Sequence, residues 1–154
     1  MPRRDQLDPC DLRAVLPDLM LVGVEPNATA ETHLFTYRLV GTRIDDRLGV
    51  SITGKLLEPS LLGTAYDEVH QHYQQAVLER RPHVCRQRIL IGDIRRVDYE
   101  CLVAPLSGPD DRTVVALVAA IDVFASCLIS DDLPPFAAPM PAPTGGACLP
   151  LSLR

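Results

Sequence analysis

Apolar and polar positions change period several times along this chain, and the changes mark its elements. Near the start, Leu12, Val15, Leu16 and Leu19 recur at helical spacing. Asp8 is placed to cap, Pro9 suits a first helical position, Asp11 falls in the first turn, and Pro17 ends the pattern near Leu16. A short N-terminal helix is expected there. Residues 19–24 (LMLVGV) and 34–40 (LFTYRLV) then read as strands on either side of a polar loop. In the second strand Phe35, Tyr37 and Leu39 share one face and Thr36 and Arg38 the other.

After Gly41 the period lengthens again. Thr42 with Asp45 suggests a capping box, Ile44 and Leu48 stack at i, i+4, and Gly49 is a C-terminal stop. Residues 53–57 suggest another short turn. The longest helical pattern covers 61–80, with Leu62, Ala65, Tyr66, Val69, Tyr73, Ala76 and Val77 on one face and Pro82 beyond it. Three strands follow, at 83–91 (HVCRQRILI), 97–106 (VDYECLVAPL) and 113–123 (TVVALVAAIDV), parted by breaks rich in Gly, Pro and Asp. Connections that short join only antiparallel neighbours.

The order predicts an α+β fold: a five-stranded antiparallel sheet with helices inserted between strands 2 and 3, plus an N-terminal helix. Domain boundaries are expected at 1–18 for a helical cap, 19–123 for the folded domain and 124–154 for a tail. Six prolines between 134 and 150, with Gly145-Gly146, predict disorder in the last 21 residues, and 124–132 has room for one helical turn. The last strands are apolar on both faces, so the outer face must meet the N-terminal helix, another subunit or both. A homodimer is expected, with Leu12, Leu16, Leu102, Val114, Ala116 and Val118 at its interface.

Charge narrows the function classes. A net charge of −5 over 154 residues argues against nucleic acid or an anionic membrane surface as partner. The longest apolar run, 114–121, is far short of the roughly 20 residues of a spanning helix. Met1-Pro2-Arg3-Arg4 precedes no hydrophobic stretch, so a cytoplasmic protein is expected. The five cysteines show no Cys-x-x-Cys spacing and read as free thiols; no metal site is expected from their spacing or that of the histidines.

Asp8-Pro9, Leu16-Pro17, FTYRLVGT at 35–42, Gly49, Thr53-Gly54, Asp98-Tyr99-Glu100 and Pro105-Leu106-Ser107 occur in an order that resembles a bacterial family of single-domain PAS-like proteins. The resemblance covers about residues 5–123. It implies a sensory or protein-interaction module, often dimeric, and brings no catalytic residue with it. PAS domains hold haem, flavin, small acids or nothing. Haem would take a histidine from the long helix, where His70 and His72 each lie roughly 80° from the centre of the apolar face. The light-sensing flavin motif Asn-Cys-Arg-Phe-Leu-Gln is absent from the sequence; Cys85-Arg86 falls in a strand.

Tyr37, Leu39, His70, Tyr73 and Tyr99 are the candidate ligand-binding residues, between the long helix and the sheet. No nucleophile elbow, phosphate loop or nucleotide fingerprint occurs, and His83 with Cys85, two apart on one strand face, lacks a third group for a catalytic dyad. Arg86 and Arg88 should face Asp98 and Glu100 across two strands, a charge match rather than a nucleic-acid patch. With no output segment attached, the expected function is a non-catalytic regulatory module that acts through a signalling protein partner, with no bound cofactor. The alternative is a small-molecule or haem sensor.

Overall fold

Strands form where β-branched and aromatic residues alternate. In the computed structural model, which describes residues 1–128 apart from 9, 29–30 and 92–94, they are β1 (Leu19–Pro26), β2 (His33–Val40), β3 (His83–Ile91), β4 (Arg95–Ser107) and β5 (Val114–Leu128). They make one antiparallel sheet in the order β2-β1-β5-β4-β3. The expected α+β architecture is present. The link between the first hairpin and the last meander is the β1–β5 pairing, in which Met20 faces Ala119 and Val22 faces Leu117.

Between β2 and β3 lie α1 (Thr42–Leu48), α2 (Pro59–Leu62) and α3 (Tyr66–Glu79). The single helix expected over 61–80 is broken, because Gly63 takes a positive φ of 53° at the end of α2 and a 3-10 turn, Gly63–Ala65, intervenes. The expected apolar face survives the break: α3 buries Val69, Tyr73, Ala76 and Val77 against the sheet. Phe35, Val22, Val103 and Leu117 form the fully buried centre below it.

The helix α1 begins one residue earlier than the capping box implies. Gly41, not Thr42, is the N-cap, and no side chain caps it. A Cβ at Gly41 would lie 2.3 Å from the carbonyl oxygens of both Leu16 and Pro17, so the position admits only glycine without a backbone shift. Asp45 instead accepts a hydrogen bond from the Ile52 N–H at 3.4 Å. Gly49 ends the helix in the left-handed region, as predicted.

Among the described residues of 8–16, no α-helix forms. The Asp8 carboxylate accepts the N–H of Cys10, two residues on, at 2.8 Å, as a cap would. The backbone beyond closes i+3 turns instead, Asp11 N–H donating to the Asp8 carbonyl at 3.1 Å and Arg13 N–H to that of Cys10 at 3.4 Å. The Leu12 carbonyl accepts from both Val15 and Leu16 at 2.9 Å, and a 3-10 turn, Leu16–Asp18, holds Pro17 at its second position. The segment is still fastened to the domain: Ser107 N–H donates to the Pro2 carbonyl at 2.9 Å, and Asp18 pairs with Arg43 at 2.9 Å and Arg47 at 3.4 Å. At the other end β5 continues to Leu128, where 124–132 had been expected to leave the sheet. The predicted tail from 129 onward lies outside the described residues.

Candidate functional site

Two places in the fold bring chemistry-bearing residues together: a cavity under α3 and the outer sheet face. The cavity has a volume of about 70 Å³. Its walls come from every layer, with Tyr73 and His72 from α3, Tyr37 from β2, Cys85 and Gln87 from β3, and Tyr99 from β4. Three of the five expected ligand residues, Tyr37, Tyr73 and Tyr99, therefore line one space.

Their hydroxyls are paired inside it. Tyr73 hydrogen-bonds Tyr37, and the Tyr99 hydroxyl donates to the Gln87 side-chain carbonyl. Burial pushes the Tyr37 hydroxyl up to about 12 and raises Tyr73 and Tyr99 well above the ordinary phenol value. All three stay neutral donors at any physiological pH. The Gln87 amide nitrogen is buried without a hydrogen-bond partner among the described residues.

Leu39 and His70 are not part of this cavity. A bulge in the β1–β2 pairing sets Leu39 opposite Leu21 but Tyr37 opposite Val22, so Arg38 and Leu39 both reach the outer face. Strict alternation from Tyr37 would have put Leu39 inside; the extra residue flips it, and it is 40 % exposed. His70 packs edge-on against Phe35 at 5.4 Å and beside Tyr66 at 5.5 Å. The histidine that lines the cavity is His72.

His72 has company that spacing alone did not reveal. Its ring lies 5.7 Å from that of His83 on β3, and one ligand atom from each of His72, His83 and Cys85 falls within 4.8 Å of the other two. Burial lowers the pKa of both imidazoles, for His72 against the opposing pull of Glu68 and for His83 with further help from His72. Cys85 pairs across the sheet with Cys101, its thiol donating to the Cys101 carbonyl at 3.6 Å. That partnership and burial push the Cys101 thiol up, leaving Cys85 the more acidic of the two.

The outer face divides into three bands. Over one end, Leu12 and Leu16 flank a groove of about 420 Å³ whose floor includes Leu21, Leu39 and Val115. At the far side, Arg86 Nε donates to Glu100 at 3.0 Å, and Arg88 donates to both Asp98 oxygens at 2.6 and 3.3 Å, the cross-strand match the sequence predicts. Between them runs an apolar row in register, Val84 on β3 beside Leu102 on β4 beside Ala120 on β5. Val84 is 59 % and Leu102 37 % exposed.

Of the six expected interface residues, Leu102 and half-buried Val118 lie on this open outer surface, and Leu12 and Leu16 border the groove. Ala116 is outward but covered. Val114 is a correction. A bulge sets Ser107 opposite Val114 and Leu106 opposite Ala116, which turns Val114 into the inner core.

A family model described as PAS domain matches residues 1–120. The chain belongs to the PAS domain family. PAS domains are sensory and signalling modules, and the sheet and helix order described above are those of that fold. Among solved structures, the chain is similar to the PAS domain from Bordetella pertussis BvgS, at 16% identity and a TM-score of 0.57 over 79% of this chain and 88% of that one. It is also similar to a Rhodobacter sphaeroides LOV protein, at 15% identity and a TM-score of 0.52 over 77% of this chain and 69% of that one. No curated protein matches it in sequence.

The cavity under α3, as it stands in this structure, is smaller than a haem or flavin pocket. Pockets for drug- and cofactor-sized ligands measure roughly 300–1,000 Å³, several times the volume of this one. His70 also stands away from the cavity, packed on Phe35 and Tyr66.

Proposed function

We propose that this PAS domain is a cytoplasmic, non-catalytic regulatory module that works as a homodimer and passes its signal to a protein partner. The observation that carries the reading is the row Val84–Leu102–Ala120, apolar and open on the outer sheet face beside a ladder of both charge signs. A second copy related by a two-fold axis offers that row an apolar surface of matching width. The ladder beside the row holds two arginines and two carboxylates, so it presents balanced charge rather than one repelling sign to a second copy.

Support for a non-catalytic role comes from the cavity, where the tyrosines are neutral, buried and hydrogen-bonded to one another or to Gln87. Native mass spectrometry of the protein from its own host, with an absorbance spectrum, tests the reading. A colourless dimer at micromolar concentration supports it. A monomer under the same conditions refutes it.

A small-ligand sensor is the second reading, favoured by the unpartnered Gln87 amide in the cavity wall. The space suits a molecule of a few heavy atoms with one hydrogen-bond acceptor. In the same experiment it predicts a small co-purifying mass that Gln87→Leu removes.

A further inference from the structure

We propose that His72, His83 and Cys85 form a binding site for a single borderline-soft divalent metal ion, Zn²⁺ foremost, at the edge of the cavity. The site arises from the way α3 folds back on the sheet. The helix ends at Glu79, Arg80 takes the left-handed conformation, and β3 starts at His83. That return lays the middle of α3 over the first residues of β3, so His72 meets His83 although eleven positions separate them. Cys85, two residues along the same strand, points to the same face.

Three observations point to a metal. One ligand atom from each residue lies within 4.8 Å of the other two, so small rotamer changes bring all three onto one ion. His72 Nδ1 and both ring nitrogens of His83 are buried yet have no hydrogen-bond partner among the described residues. Buried polar atoms are nearly always paired, and two neighbouring imidazoles left bare together are a donor set lacking an acceptor of their lone pairs. The composition of the set, two imidazoles and one thiolate, suits Zn²⁺ in a tetrahedral geometry.

Three protein ligands leave one position. Glu68, one turn before His72 on α3, has its carboxylate 3.9 Å from His72 Nε2, the ring nitrogen other than the bare Nδ1, and orients the imidazole. The open position faces the cavity, since His72 and Cys85 both line it. The ion would tie α3 to β3, an edge strand of the sheet. This inference stands apart from the homodimer: its readout is metal per chain, whatever the chain's mass.

The test is a titration of the reduced, chelator-stripped full chain with Co²⁺ as optical probe for Zn²⁺. The site predicts one equivalent per chain, visible bands of tetrahedral intensity and a thiolate-to-cobalt charge-transfer band, all displaced by Zn²⁺. Cys85→Ser should abolish the charge-transfer band. His83→Asn should weaken binding by more than about tenfold, because even outer-shell changes cost that much. Cys10→Ser and His70→Asn should leave both unchanged. A wild-type chain with no charge-transfer band, or a band that survives Cys85→Ser, overturns the site. X-ray absorption of the Zn²⁺-loaded wild type needs no variant to fold: one sulfur near ~2.3 Å with nitrogen or oxygen near ~2.0–2.1 Å supports the site. A shell of nitrogen and oxygen alone overturns it.

Discussion

On the inner face of the sheet, Phe35, Val22, Val103 and Leu117 are at most 1 % exposed beneath α3, whereas on the outer face Val84 and Leu102 stand 59 % and 37 % exposed. The inner face closes on elements of its own chain, and α3 supplies its cover with Val69, Tyr73, Ala76 and Val77. The outer face is closed at one end only, where the N-terminal segment fastens to Ser107 and α1. Its middle is apolar and its far side carries ion pairs. The contrast separates two jobs: inner residues should decide whether the chain folds, and outer residues should decide what it meets.

Substitutions that obey this division should change one property without the other. Phe35→Ala removes a fully buried ring packed edge-on against both Tyr73 and His70. It should cost about 3–5 kcal/mol in urea unfolding. Gly41→Ala probes the clasp between the N-terminal segment and α1; its Cβ must displace backbone at 2.3 Å. A loss of about 1–3 kcal/mol is expected from such overpacking. Tyr73→Phe deletes one buried hydroxyl bonded to Tyr37 and should cost about 0.5–1.5 kcal/mol with no change in mass.

On the outer face the effects on folding should shrink. Arg88→Ala breaks a two-point contact with Asp98, but Arg88 is 44 % exposed, so about 0.2–1 kcal/mol is expected. A loss as large as that of Phe35→Ala would erase the distinction between the faces. Salt should weaken association more than folding, because the ladder of Arg86, Arg88, Asp98 and Glu100 borders the open row.

Much of the fold was legible because its signals are local. Apolar, β-branched runs between turn residues located all five strands, and the i, i+4 pattern of Val69, Tyr73, Ala76 and Val77 located the helix that covers them. The arginine–carboxylate ladder followed from register alone. What escaped has one main physical cause. Bulges near Arg38 and Val115 each insert a residue into an alternation that looks unbroken in sequence, and each flips one candidate, Leu39 outward and Val114 inward. The N-terminal helix failed although Asp8 caps as expected, because the carbonyls of Asp8 and Cys10 accept from residues three, not four, positions on.

Gathering His72 with His83 and Cys85 was hidden differently. His83 and Cys85 were visible as a pair on one strand, but the third member depends on how α3 docks, which no spacing rule encodes. The same holds for Gln87, whose polarity between Cys85 and Ile89 on the inner face of β3 was the signal available for a cavity residue.

The division between faces is tested most directly by light scattering on the wild type and Leu102→Asp, side by side at equal concentration. Asp in a strand costs on the order of 1 kcal/mol, small enough to leave the domain folded by circular dichroism. The wild type should have twice the mass of one chain and Leu102→Asp the mass of a single chain with an intact spectrum. A wild-type monomer, or a variant that keeps the dimer mass, would contradict the account.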